Sequence, residues 1–288
     1  MQIKKWFIPL FALLLIVGIL AGCSASNSAS SSSNSASDHS TDTLAAAKKK
    51  GVLVVASSND APFAFIDRNT HKFSGIDADI ITEIAKRLGI PKVEMKEVKF
   101  ENLLVELNNK GVDLVTDAMY ITPQREKIAK FTDIWYTEGE ALVVPKRSSI
   151  KNLADLKTKT VGAQKGTAFY DLANKLYKQN KIKQLTIFGS QSDLLMAANT
   201  GKVDAVITDG AVASYSLKTN KSLNLKLVSP YKPQASGNIG AAARKNDSKL
   251  VKAIDKQLLI LKKNGFIKKT LKKYGMPDNY YVPANQSK

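Results

Sequence analysis

Beyond about residue 50, short apolar runs alternate with longer stretches whose apolar residues recur at helical spacing. Val52–Ala56 is a compact apolar run, which predicts a strand. Ile76, Ile80, Ile81, Ile84, Ala85 and Leu88 then fall on one helical face, and Gly89 with Pro91 ends the pattern. Val93–Val98, Asp113–Thr116, Thr160–Ala163, Gln184–Phe188, Asp204–Thr208 and Leu225–Val228 read as further strands. Helices fit between them at about 101–109, 168–179, 191–200 and 210–218, with two more at about 247–263 and 265–274. This alternation predicts an α/β fold with mainly parallel sheets. Ligands of such sheets sit beyond the carboxyl ends of the strands, often at a helix N-terminus. Glu140–Pro145 and Asn238–Ala243 are extended and apolar, and are expected as paired strands crossing between two lobes.

The first residues follow a different pattern. Lys4 and Lys5 precede an apolar run, Trp6–Leu20, closed by the small residues of Leu20-Ala21-Gly22-Cys23. That is the layout of an export signal over residues 1–22. The run is about 15 residues, short of the roughly 20 a membrane-spanning helix needs; an uncleaved anchor is the alternative reading. Leu-Ala-Gly-Cys resembles the lipobox of bacterial lipoproteins, which implies lipidation of Cys23, the only cysteine. Two or more acyl chains make membrane anchoring stable, at about 0.8 kcal/mol per buried methylene. Residues 23–43, rich in Ser, Asn, Ala and Thr, have little to bury and are expected as a disordered tether.

Charge and composition narrow the function. Removing residues 1–22 takes two lysines and no acid from a formal charge of +18, leaving +16. A basic chain raises nucleic acid as a partner. Here the charge is scattered and carried almost wholly by Lys, with five Arg among 43 basic residues, which argues against it. Anionic surface polymers and lipids are the expected neighbours. Nucleophilic catalysis through histidine would have to use His39, in the tether, or His71, in a polar loop. No His/Cys spacing suits a metal and no glycine-rich loop suits a phosphate, so neither metal nor cofactor is expected. Carboxylate chemistry stays open as an enzymatic rival.

The ordered landmarks of the body resemble solute-binding protein family 3, the amino-acid-binding proteins of ABC importers. They are Ala61-Pro62-Phe63, Gly75–Ile80, Ala118–Arg125, Phe131-Thr132-Asp133, Asp155-Leu156, Gly166-Thr167 and Gly201–Asp209. The resemblance runs from about Gly51 to Tyr280. It implies the two-lobe type II periplasmic-binding-protein fold, with lobe 1 from 44–143 and 238–288, lobe 2 from 144–237, and closure by hinge motion near 140–146 and 236–243. It also implies a monomer that takes a small zwitterion to a permease, held to the outer face of the membrane by its lipid.

Site residues follow from the same resemblance. Thr122-Pro123 reads as a helix N-cap and first position, which puts Arg125 in the first turn; its planar fork suits a ligand carboxylate. Asp209, after the apolar strand, has two readings, a helix N-cap and the anchor of the α-amino group. Thr167 is expected to offer a hydroxyl and an N–H to the carboxylate. Phe100, Phe63 and Tyr120 would line the side-chain end as an aromatic box, with Gln164, Ala118 and Asp60 completing the set. Asp60 stands where many amino-acid binders carry an aromatic, and Tyr120 where they carry a small hydroxyl residue. With Arg125 these resemble the ectoine-binding branch. Asp60, Asp117 and Asp209 near one cleft favour a cationic or zwitterionic ligand over an acidic one. A polar or basic amino acid is therefore expected, with ectoine or a betaine as the alternative solute. A secreted dehydratase of cyclohexadienyl acids on the same fold is the rival from another class.

Overall fold

A computed structural model describes residues 42–286. Cys23 and the tether through residue 41 lie outside the described residues, and Asp42 and Thr43, expected as its end, belong to the folded body. Asp42 caps a helix, Thr43–Lys50, and the buried Thr43 hydroxyl donates to Asp247 at 2.6 Å. An Ala/Lys segment in front of the first strand gave no apolar stripe to mark this helix.

Two five-stranded sheets organise the rest. The first runs Lys92–Glu97, Val52–Ser57, Leu114–Val115, Ala242–Ala243, Lys130–Phe131 in spatial order. Its first three strands are parallel, with Val52 opposite Lys92 and Val55 opposite Leu114. Ala242–Ala243 returns antiparallel between Leu114–Val115 and Lys130–Phe131. The second sheet runs Gln184–Phe188, Thr160–Gln164, Ala205–Asp209, Glu140–Pro145, Leu225–Leu227. Its first three strands are again parallel and its last two antiparallel.

The helices cover these sheets with the faces expected. Ile76–Arg87 buries Ile76, Ile80, Ile81, Ile84 and Ala85, the apolar stripe that one turn of helix repeats every three to four residues. Ala168–Lys178 buries Phe169, Ala173 and Leu176 in the same way. Full burial of each such side chain stabilises by about 1.5–3 kcal/mol. The expected helix at 101–109 is a 3₁₀ turn, Phe100–Asn102, leading into Leu103–Asn108.

The crossing strands differ from expectation. Glu140–Pro145 does not pair with Asn238–Ala243; it is an interior strand of the second sheet, with Asp209 opposite Glu140 and Val206 opposite Val143. Two pairs stand outside both sheets, the hairpin Phe65–Ile66 with Phe73–Ser74 and the crossing pair Tyr136–Glu138 with Gly237–Ile239, each antiparallel. The crossing strands begin at Tyr136 and Gly237, ahead of the expected Glu140 and Asn238. The apolar run Ala141–Val144 is explained by burial on both faces of a sheet, whereas the crossing pair carries polar Thr137 and Asn238 and so left no apolar signature.

Candidate functional site

Parallel strands in both sheets end at one cleft. Ser57 ends one strand of the first sheet, and Thr116-Asp117 follow another; Gln164 and Asp209 end two strands of the second. Backbone groups and loop side chains gather at such ends, which is where ligands of α/β sheets lie. The cleft holds a small, partly open cavity lined by Asp60, Phe63, Phe100, Ala118, Tyr120, Arg125, Gln164, Thr167 and Asp209. All nine residues singled out from sequence thus face one space. Asp117, Ala168, Phe169, Gln191 and Val212 line it as well.

Arg125 is held as its local sequence dictates. The Thr122 hydroxyl accepts from the Arg125 N–H at 3.3 Å and Pro123 opens the helix Pro123–Ile128. One guanidinium nitrogen donates to the Tyr120 carbonyl at 2.8 Å and the other to the Gly166 carbonyl at 2.9 Å. The guanidinium also lies 5.5 Å over the Phe100 ring. Burial lowers its pKa to about 10, so it stays charged at neutral pH. Phe100 is therefore a wall against Arg125 before it is a wall against a ligand.

The second-sheet side is built from helix N-termini. The Thr167 hydroxyl caps Ala168–Lys178 by accepting from the Tyr170 N–H at 3.1 Å, and gives its own proton to the Gln164 carbonyl at 2.7 Å. Its hydroxyl is thus committed within the protein. Ala168, first residue of that helix, lines the cavity beside it and presents the helix's positive end there. Asp209 resolves its two readings by doing one and facing the other: one oxygen accepts from the Val212 N–H at 2.9 Å as an N-cap, and the side chain lines the cavity.

Acids dominate the remaining wall. The Ser58 hydroxyl lies 2.7 Å from Asp60 and makes a short contact with Asp117, yet it has one proton for two carboxyls. Asp117 has further donors in the Ser57 hydroxyl and the Ser58 N–H, each at 2.8 Å. Burial, then the charge of Asp117, pushes Asp60 well above the usual carboxylate range, while burial raises Asp117 and Asp209 to about 6. Gln164 reaches Asp60 from the second sheet, and its buried Oε1 has no hydrogen-bond partner among the described residues. Asp77, fully buried, accepts from the Ala118 N–H at 2.8 Å and the Tyr136 hydroxyl at 2.7 Å, and so fixes the cavity floor. Ala118 sits there at φ +48°, a backbone conformation uncommon for alanine. The cavity thus holds one fixed cation beside several buried acids, with more acceptors than donors along its wall. Among the described residues no group of three or more His, Cys, Asp or Glu could hold a metal ion.

The aromatic residues meet in pairs. Phe63 stacks on Tyr136 at 6.1 Å, and Tyr120 meets Phe169 edge to face at 5.5 Å. Phe169 was not anticipated, because an aromatic in the first turn of an amphipathic helix reads as core; its burial in that helix is also observed. Gln191 was missed for a similar reason. It opens the helix Gln191–Asn199 and its amide oxygen accepts from the Thr208 hydroxyl.

Comparison with known proteins agrees with this geometry. The family model for bacterial extracellular solute-binding proteins, family 3, matches residues 53–277. The L-cystine-binding protein TcyA of Bacillus subtilis is 35% identical over 81% of this chain and 84% of its own. The arginine-binding extracellular protein ArtP of the same organism is 30% identical over 82% of this chain and 90% of its own. Among solved structures, an ancestral arginine-binding protein bound to arginine superposes with a TM-score of 0.71 at 36% identity, over 78% of this chain and 98% of that one. With the matched model spanning most of its length, the chain belongs to the bacterial extracellular solute-binding proteins of family 3 and has their type II periplasmic-binding-protein fold.

Proposed function

We propose that the cleft captures one amino acid, with a polar or cationic side chain, and delivers it to the permease of an ABC importer. The observation that carries this reading is the single cavity in which Arg125 stands on one sheet's loops and Asp209 on the other's, with a helix N-terminus beside them. Arg125 and the N-terminus at Ala168 suit an α-carboxylate, and Asp209 suits an α-ammonium. Asp60, Asp117 and Gln164 then face the side chain, where an ammonium or guanidinium would replace the proton these carboxyls hold. Glutamate would set a second anion against them and bind less well. The names of the relatives, arginine-binding and cystine-binding, support the same class. An ectoine-like solute is disfavoured because Phe100 already stacks on Arg125, which costs an aromatic box one wall.

The anchoring half of the reading rests on sequence. Cys23 closes an export signal and would carry the lipid, with residues 24–41 as the tether. Replacement Cys23→Ser is expected to move the protein from the membrane fraction to the soluble one while leaving ligand binding intact.

The deciding experiment is thermal unfolding against L-arginine, L-lysine, L-cystine, L-glutamine, L-glutamate, ectoine and glycine betaine. A ligand at a hundred times its Kd should add about 2.7 kcal/mol of stability. A basic or polar amino acid is expected to give the largest shift. Preference for glutamate, or no shift from any amino acid, would overturn the proposal.

A further inference from the structure

Two glutamates two residues apart, Glu138 and Glu140, are both about 2% exposed, yet their surroundings differ. Glu140 is fully supplied with donors: the Tyr231 hydroxyl at 2.8 Å, the Gln234 N–H at 2.5 Å and the Ala235 N–H at 2.8 Å. Glu138 has none of this. Neither of its carboxyl oxygens makes a hydrogen bond among the described residues, and the nearby Tyr120 hydroxyl donates to the Glu138 backbone carbonyl at 3.3 Å instead.

Its neighbours sharpen the difference. Glu138 ends the crossing strand Tyr136–Glu138, and the next carbonyl, Gly139, accepts from the Gly210 N–H at 3.1 Å, which makes Glu138 and Asp209, on the second sheet, neighbours. The other titratable groups that face it are Asp77, from the helix Ile76–Arg87, Tyr120 from the cavity wall, Tyr136 on its own strand and Tyr280 from the tail. Every one is acidic, and no Lys, Arg or His stands among them. Two ionised carboxylates in contact in such a place repel strongly. A single proton between them removes the repulsion and supplies the missing donor.

We infer that Glu138 is a neutral carboxylic acid whose O–H donates to Asp209, a positioning residue that holds the Asp209 carboxylate toward the cleft. Asp209 has one oxygen capping its helix; the Glu138 proton fixes the rest of the group without adding charge. A ligand ammonium then meets one negative charge, not two. Burial, then the charge of Asp209, pushes Glu138 well above the ordinary carboxylate range, while Asp209 is raised only to about 6. The donors place the proton: Asp209 already accepts from the Val212 N–H, while neither Glu138 oxygen has a donor of its own. This inference rests on the amino-acid reading only for its consequence in binding.

The test has two arms. Carbon-13 NMR of the full chain, labelled at glutamate carboxyls, reads the protonation of Glu138 directly with no ligand present. A resonance in the protonated range at pH 7, absent from Glu138→Gln, is expected; an ionised signal at that pH would overturn the inference. The second arm is calorimetric titration with L-arginine across pH. Glu138→Gln keeps an N–H donor and should bind within about threefold of the parent at pH 7.5. Glu138→Ala should bind at least tenfold more weakly and show its acid-side loss of affinity at higher pH, because Asp209 loses the donor that favours its charge. A Gln variant as weak as the Ala variant, with Glu138→Asp restoring affinity, would mean that Glu138 acts as an anion and the inference fails. If the parent binds no member of the amino-acid panel, the functional reading falls while the NMR arm still decides the state of Glu138.

Discussion

Arg125 shows how much one side chain can carry. It is one of five arginines among 43 basic residues, and its helix start, its two carbonyl contacts and the Phe100 face leave its fork at the cavity. Lysine has the charge without the fork. Arg125→Lys is therefore expected to weaken amino-acid binding about a hundredfold, near 3 kcal/mol, with thermal stability little changed; calorimetry beside a melting curve separates the two. Asp77 makes a stability prediction of opposite character. Burial lifts its pKa from 3.8 to about 7, so between those values the folded protein holds a proton that the unfolded chain has released. Stability from this group is present below 3.8 and declines as pH rises toward about 7. Asp77→Asn should flatten the fall of unfolding free energy across that window in urea titrations; an unchanged slope would show that Asp77 does not titrate there. The positions of Arg125 and Asp209 were legible because a helix start and a strand end announce them, while the roles expected of them came from the family resemblance. Glu138 was not, since an acid in a polar, three-residue strand looks like an exposed one, and only the fold reveals that it faces another acid.

At the scale of elements, the crossing pair is the part that matters most and the part that pattern reading placed a few residues off. Strands buried in sheets, such as Ala205–Asp209, show continuous apolar runs, while Tyr136–Glu138 and Gly237–Ile239 are too short and mixed to show any period. Their sequence instead contains a close approach. A Cβ on Gly237 would lie 2.4 Å from the Tyr120 ring, and Tyr120 in turn packs edge to face on Phe169 across the cavity. Gly237→Ala is expected to displace that ring, costing about 1–3 kcal/mol by overpacking. Affinity should drop about tenfold or more, because the displaced group is a cavity wall. If the variant binds as the parent does, the Tyr120 wall is either mobile or irrelevant to the ligand. Most of the longer helices, by contrast, were read nearly to the residue, since amphipathic stripes and caps such as Thr167 and Asp209 carry their own boundaries, while Thr43–Lys50, with no stripe, was missed.

The whole molecule joins these pieces through contacts across the cleft. Arg125 donates to the Gly166 carbonyl, Gln164 reaches Asp60, and Phe169 meets Tyr120, each linking a first-sheet element to a second-sheet one. A further approach across the cleft is backbone against backbone. Gly166 lies at φ +82°, and a Cβ there would sit 3.0 Å from the Glu101 Cα. Alanine would therefore be strained in its own backbone and would also press on the opposite loop. If the cleft opens by the hinge motion that the family resemblance implies, only the second effect depends on its being shut, because opening would separate Gly166 from Glu101. Gly166→Ala should thus act mainly on closure: a loss of about 1 kcal/mol in the unliganded melting curve from backbone strain, and a larger loss in ligand affinity, tenfold or more. Small-angle scattering at saturating L-arginine should then report a larger radius for the variant than for the parent. Equal radii with equal affinity would mean that the 166–167 turn does not gate closure. The charge balance of the cavity points the same way, since carboxyls that need a proton when the cleft is shut would be relieved equally by a bound cation or by opening to water. Ligand and closure are then two expressions of one equilibrium, and Gly166 tests it from the side that touches no ligand charge.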